Sequence, residues 1–319
     1  MSGRPRFTGG QYSLGRALLG ACLFAWAALR IAQAIGGPGA SGPEVAAVDV
    51  ALLGLLGTCG LLLAAGWHDR PAAALALACW AVLAFRAPSP ASPALLAFGW
   101  LILAHLFVPP APYGSLAARG RPDPVGGWRF PAPIWIGTWV VLVADLILLA
   151  RQRESLGGWA FVAGLVLLAL FAFDPGWIQG RGGSVPETLF YDGTCGLCHH
   201  SVRFVLAEDP EGRRFRFATL QGRRYRSAID EIRRRDLPDS LVLLEEGGRV
   251  LTRSQAVRHA LLRLGGYWTV LGWIGGLVPT PLGDAAYDLV ARVRQRLFAR
   301  PPDACPVTPR HLRARFDLD

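Results

Sequence analysis

Apolar residues crowd the first half of the chain in long runs, at residues 14–35, 45–66, 72–85, 94–108, 134–150 and 159–173, separated by short segments rich in Pro, Gly and Arg. A helix that crosses a bilayer takes about 20 apolar residues, with a range of about 17–25. The first, second and fifth runs meet that length. The third and fourth are short and suit a helical hairpin that does not fully cross. The pattern predicts a transmembrane helical domain of about six spans over residues 1–173. Beyond residue 174 the pattern changes. Residues 174–186 read as a linker. Strand-like alternation and helical stripes then take over to the C-terminus, in a stretch long enough for its own core.

In the second half, residues 188–191 form an apolar strand that ends in Asp192-Gly193, a turn signal. Cys198, Val202, Val205 and Leu206 fall on one helical stripe, with His199, His200, Arg203 and Glu208 off it. Residues 215–220 alternate as a second strand, and residues 223–235 are a charged helical stretch. Residues 241–245 and 249–252 flank Glu246-Gly247-Gly248, a hairpin signal. Ser254 is placed to cap a helix whose inner face carries Val257, Ala260, Leu261 and Leu264, with Gly265 after its end. The order β-α-β-α-β-β-α is that of a thioredoxin-like α/β core over residues 187–319. Residues 268–278 are apolar but too short to span. Residues 282–298 are amphipathic, with Leu282, Ala286, Leu289, Val290, Val293 and Leu297 on one face. Such a pair of helices either packs on the sheet or lies on a membrane surface.

Composition agrees with a membrane protein: 52% of residues are hydrophobic and the formal net charge is +10. All 33 basic residues are arginine, a choice that reflects codon composition more than function. No nucleic-acid-binding motif accompanies the charge. Ala32-Gln33-Ala34 resembles a signal-peptide cleavage site, but the apolar run before it exceeds the usual ~7–15 residues, so it reads as a retained span. With six spans, Arg4, Arg6, Arg16, Arg70, Arg119, Arg121, Arg129 and the Arg-rich C-terminal part share one side. That bias puts both termini in the cytosol of a bacterium, with the chain integral to the inner membrane. Asp49, His105 and Asp145 lie within or beside the spans; Asp145, the deepest, reads as a carboxylic acid hydrogen-bonded between helices, or as the mark of a pathway or proton site.

Six cysteines are present. Cys22, Cys59 and Cys79 lie singly in apolar runs and read as small helix residues. Cys305 stands alone. Cys195-Gly196-Leu197-Cys198 is a CxxC at a predicted strand–turn–helix junction. A helix N-terminus favours a thiolate, the species that attacks disulfides or binds metal. On an oxidoreductase reading Cys195, nearest the helix start and the more exposed, attacks, and Cys198 resolves the mixed disulfide. Asp192 is a proton acceptor near the thiols or a turn residue. His199 and His200, as exposed residues, either favour the thiolate when protonated or do nothing. Cys195–His199 also matches CxxCH, the attachment pattern of c-type haem, and a zinc site through the same residues is a further reading. Met1 is the only methionine, a second CxxC is absent, and the CxxC side is predicted cytosolic. These points place both below a site with no cofactor and no metal. A non-catalytic scaffold or binding protein with a degenerate domain is the rival of another class.

Tyr191-Asp192-Gly193-Thr194-Cys195-Gly196-Leu197-Cys198 resembles the DCC (DxxCxxC) family of predicted thiol-disulfide oxidoreductases. The likeness continues through Phe215-Arg216-Phe217-Ala218-Thr219-Leu220-Gln221, Asp239-Ser240-Leu241-Val242-Leu243, Ser254-Gln255-Ala256-Val257 and Val278-Pro279 to Tyr287. It implies a thioredoxin-like fold, a redox-active Cys195/Cys198 pair, protein-disulfide reductase activity, and a protein or small-molecule thiol or disulfide as substrate. Thioredoxins place a cis-proline directly before a strand; the nearest candidate here, Pro238, is separated from Leu241 by Asp239 and Ser240. The segment Arg6-Phe7-Thr8-Gly9-Gly10-Gln11-Tyr12-Ser13-Leu14 resembles the membrane region of bacterial proteins that fuse such a domain to an HTTM-type helical bundle. The expected partners are therefore the lipid bilayer and a thiol or disulfide substrate, and no nucleic acid.

Overall fold

The computed structural model describes residues 7–36, 47–86, 93–151, 170–238, 240–297 and 309–317. The chain forms two compact units, residues 1–119 with 128–174, and residues 120–127 with 175–319.

The first unit is helical: α1 (Gly9–Gly36), α2 (Ala47–Ala65), α3 (Asp69–Arg86), α4 (Pro93–Phe107) and α5 (Ala132–Arg151). Gly9–Ile35 and Ala47–Ala65 are long and apolar enough to cross a membrane by length and composition, while Leu96–Phe107 and Ala132–Val141 are shorter apolar helices. The run at 159–173 lies outside the described residues except for its last turn. Small residues bring α1 and α2 together. A Cβ on Gly20 would meet the Gly60 carbonyl oxygen at 2.3 Å and the Ala64 nitrogen at 2.5 Å. Backbone approach of that kind excludes any side chain at the crossing, as in helix pairs packed within lipid.

One end of this unit holds polar groups that the apolar pattern hid. Arg16 is fully buried and donates through Nη1 to the carbonyls of Leu63 and Ala64 in the last turn of α2, where backbone acceptors outnumber intrahelical donors. Tyr12 Oη and His105 Nδ1 share a hydrogen bond of 2.6 Å, and His105 Nε2 lies 3.6 Å from Asp69 Oδ2. His105 is thus tied between helices. Asp49 pairs with Arg86 at 2.7 Å across the ends of α2 and α3. The Asp145 side chain lies outside the described residues.

The second unit carries a five-stranded sheet of order β4-β3-β1-β2-β5. Strand β1 (Glu187–Tyr191) is central and buried throughout. It pairs in parallel with β2 (Phe215–Thr219) and antiparallel with β3 (Val242–Leu244), which forms a hairpin with β4 (Val250–Thr252). A two-residue strand, β5 (Phe316–Asp317), adds in parallel to β2 and was not legible in the hydrophobic pattern. Alternation along β1 sends Leu189 and Tyr191 into one core and Phe190 into the other. The first core is closed by α6 (Gly196–Glu208) through Val202, Val205 and Leu206, and by α9 (Arg253–Leu264). The second is closed by α7 (Arg223–Ala228), which with α8 (Glu231–Asp236) replaces the single charged helix expected at 223–235.

Several expectations need correction. The buried residues of α9 are Ala256, His259, Ala260, Leu262, Arg263 and Leu264, while Leu261 is half-buried and Val257 is exposed. The stripe is rotated because polar residues are buried in pairs. His259 lies between Glu187 (2.9 Å) and Glu245 (3.2 Å), and Arg263 reaches Glu187 at 3.4 Å. Arg263 also donates to the carbonyls of Arg181 and Val185, so residues 178–186 lie along α9. Ser254 does not cap α9 through its side chain; Asp284 accepts from both the Ser254 nitrogen, at 3.2 Å, and its hydroxyl.

The loop from α6 to β2 and strand β5 depend on one buried ion pair. Asp209 accepts from the backbone nitrogens of Arg213, Arg214 and Phe215 and from Arg315 Nη2 at 2.7 Å. Arg315 also donates to the Asp209 and Phe215 carbonyls and stacks over Phe217 at 5.3 Å. Burial pushes the guanidinium below its ordinary value and Asp209 opposes that shift. Removing one member of a buried pair costs about 3–5 kcal/mol. Arg315→Met is therefore expected to speed hydrogen exchange of the β2 amides by roughly 10²–10⁴-fold, measured by mass spectrometry; protection unchanged from wild type would contradict this role.

Candidate functional site

The site begins where β1 runs out. After Tyr191 the chain must turn from strand to helix, and Asp192 makes that turn. Its Oδ1 accepts from the Thr194 nitrogen at 2.9 Å and the Thr194 hydroxyl at 2.8 Å, while its carbonyl accepts from the Cys195 nitrogen at 3.2 Å. This is a side-chain-closed turn, for which Asp is suited because its carboxylate reaches the backbone two residues on. Gln221, at the end of β2, adds a third donor to Oδ1 at 3.2 Å. Leu220 N donates to the Tyr191 carbonyl at 2.9 Å, so the two strand ends are stitched at the site.

Cys195 is the N-cap of α6, with φ −103° and ψ 117°, and its side chain makes no cap hydrogen bond. Its carbonyl accepts the first helical bond, from His199 N at 3.1 Å. The sulfur stands where a Ser or Asp oxygen commonly accepts from the first free N–H groups of a helix. Cys198 lies one turn in, on the buried stripe. Both residues stand as thiols. The expectation that Cys195 is the more exposed is corrected: Cys195 is 5% exposed and Cys198 6%, and both join the core of Tyr191, Val202 and Leu241.

His199 is also corrected. It is buried, with Nε2 3.0 Å from the Gly193 carbonyl and its ring edge-on to Tyr191. With Nε2 donating to that carbonyl, the ring pins the loop that carries Cys195. Burial pushes its pKa below the ordinary 6.5, so it is a neutral loop clamp at neutral pH rather than a cation beside the thiols. His200 is exposed. Among the described residues no three His, Cys, Asp or Glu side chains stand together as a metal site. Among them no peptide bond is cis, Pro238 included, and β3 starts at Val242. Cys305 lies outside the described residues. Gln221 and the burial of His199 were missed by sequence reasoning. A glutamine at a strand end carries no periodic signal, and His199 is off the apolar stripe.

A dithiol at the start of a helix, directly after the central strand of an α/β sheet, is the geometry of a thiol-exchange domain. Residues 189–300 match the family profile of the DCC1-like thiol-disulfide oxidoreductases. Over 134 residues, 41% of this chain and 93% of the relative, the chain is 30% identical to the uncharacterized protein YuxK of Bacillus subtilis (strain 168). It is 29% identical over 119 residues, 37% of this chain and 67% of the relative, to the DCC family protein At1g52590, chloroplastic, of Arabidopsis thaliana. The chain belongs to the DCC1-like thiol-disulfide oxidoreductase family through this domain. No solved structure is significantly similar to it.

Two outcomes follow from the geometry. If Asp192 acts through its turn, Asp192→Asn, which keeps Oδ1, retains thiol reactivity within about threefold, and Asp192→Ala loses about 1–2 kcal/mol of local stability. Loss of reactivity in the Asn variant, measured by the alkylation rate of Cys195, would instead mark a proton acceptor. For His199, the unfolded chain takes up a proton below pH 6.5 that the folded site refuses. Stability is therefore full above 6.5 and falls as the pH drops through the window beneath it. His199→Gln is expected to flatten that fall in a urea-denaturation series; an unchanged profile would contradict the assignment.

Proposed function

We propose that the protein is a membrane-anchored thiol-disulfide oxidoreductase of the protein-disulfide reductase type, with Cys195 as nucleophile and Cys198 as resolving thiol. The observation that carries this is the placement of Cys195 as the uncapped N-cap of α6, one helical turn from Cys198. The sheet supports a thioredoxin-like reading: β4-β3-β1-β2, with β1 and β2 parallel and the β3–β4 hairpin antiparallel, and the dithiol between β1 and α6.

The Cys195 thiolate attacks one sulfur of a substrate disulfide. That S–S bond breaks, one substrate thiolate leaves, and a mixed disulfide joins Cys195 to the substrate. Cys198, having lost its proton, then attacks the Cys195 sulfur, and the second substrate thiolate departs. The substrate gains two electrons and the enzyme is left with a Cys195–Cys198 disulfide, which a reducing thiol of the compartment restores. Asp192 and Gln221 hold the loop in place through these steps, and His199 holds its Gly193 carbonyl.

Anchoring is supported by two helices of spanning length and by large apolar side chains exposed on the first unit, including Leu29, Ile35, Phe85 and Val140. The arginine distribution supports a bacterial inner-membrane location with the dithiol in the cytosol. A second reading, a binding domain without exchange, draws on the burial of both sulfurs. Insulin-disulfide reduction by the full chain in detergent separates them. Cys195→Ser is expected to lose at least about 100-fold in rate, and Cys198→Ser to accumulate a mixed disulfide on Cys195. Equal rates for wild type and Cys195→Ser would favour the binding domain.

A further inference from the structure

The C-terminal helices are assembled with their polar side inward. The helix α10 (Tyr267–Gly275) packs Tyr267, Trp268 and Gly272 against the domain and ends in a stretch, residues 273–282, that is exposed at every position. The helix α11 (Thr280–Leu297) is held to the domain by its polar residues. Asp284 binds Ser254, Asp288 pairs with Arg253 at 3.1 Å, and the Tyr287 hydroxyl accepts from Leu241 N at 2.8 Å. Of the two arrangements open to this amphipathic stripe, packing on the sheet or facing outward, the structure has the second. Leu282 is 64% exposed, Leu277 82%, and Leu289 and Val290 are exposed beside them. A helix stabilised by burial of its apolar stripe does the opposite. An uncharged run from Leu264 to Gly283 crosses the exposed tip, which carries Trp273 and Ile274.

What covers this face is indicated by the charge around it. Between residues 253 and 300 seven arginines accompany two acidic residues, Asp284 and Asp288; Arg253 and Arg263 face inward to Asp288 and Glu187, and both acids are engaged with Ser254 and Arg253 on the inner side. Arg258 reaches the base of the tip, donating to the Gly272 carbonyl at 3.3 Å, and Arg292 is exposed on α11. An apolar stripe with an aromatic tip and an arginine rim complements acyl chains beneath anionic headgroups. The same chain supplies helices of spanning length, so a bilayer is within reach whenever they are inserted.

We propose that residues 271–293 form a monotopic membrane-docking surface that seats the dithiol domain on anionic lipid. This rests on the membrane-anchored reading above and extends it, since the anchor alone requires no contact between this domain and lipid. Docking restricts the domain to substrates at or in the membrane surface.

The test uses the full chain in nanodiscs of phosphatidylcholine, with and without phosphatidylglycerol. The photo-crosslinker p-benzoylphenylalanine replaces Leu277, Leu289 or, as a control outside the face, Ile232, itself 82% exposed. Lipid adducts are expected at positions 277 and 289, at least about tenfold above position 232, and more abundant with phosphatidylglycerol. The pair Trp273→Glu and Leu282→Glu is expected to remove them. Adducts to a second copy of the chain, adducts to other peptides of the same chain, or yields equal to position 232 each overturn the proposal. Alkaline carbonate extraction of membranes separates the two readings. A chain released by carbonate refutes the spanning anchor, whereas a chain that resists carbonate but gives no lipid adduct refutes the docking surface alone.

Discussion

The hydrogen bonds that Asp192 makes at the end of β1 are the constraint on which the site depends. A buried central strand cannot run straight into a helix; the chain needs a turn of defined geometry, and a carboxylate that accepts from the Thr194 nitrogen and hydroxyl supplies one. That turn leaves Cys195 at the N-cap and Cys198 on the inner stripe. Gln221 and His199 brace it from the neighbouring strand end and from the helix itself. The site is therefore a property of the backbone at one strand–helix junction, and its residues come from a short stretch of chain with a single distant contributor.

Around that junction the domain is held by charge as well as by apolar packing. Asp209 with Arg315 closes the loop between α6 and β2 and secures the last strand. Glu187, His259, Glu245 and Arg263 tie the start of β1 to α9 and to residues 181–185. Buried pairs of this kind are costly to break and contribute little net stability compared with apolar residues of the same size. Their effect is to define where elements join. The helical unit uses a similar device, with Arg16 on the carbonyls at the end of α2.

The features legible in the sequence were those with a local physical signature. The CxxC, the Asp-Gly turn, the strand at 188–191 and the stripe Cys198, Val202, Val205, Leu206 follow from spacing within about ten residues. The helices of the first unit follow from apolar length. What escaped was set by tertiary pairing. The rotation of α9 depends on the acidic partners of His259 and Arg263, Glu187 at the start of β1 and Glu245 just after β3, which are distant in sequence. Strand β5 is two residues long and exists through pairing with β2. The amphipathic stripe of α11 was visible, but which side it turned to the domain was not. The stripe says that one face is apolar, and Asp284, Tyr287 and Asp288 decide that the other face is the one engaged.

The central claim is that Cys195 and Cys198 form one two-electron couple. Equilibration of the full chain in glutathione buffers of graded potential, followed by alkylation and mass analysis of the peptide carrying both residues, tests it most directly. The account predicts a single transition in which both sulfurs escape or accept the label together, with a two-electron slope. Independent labelling of the two residues, or a peptide whose labelling never changes with potential, would contradict it.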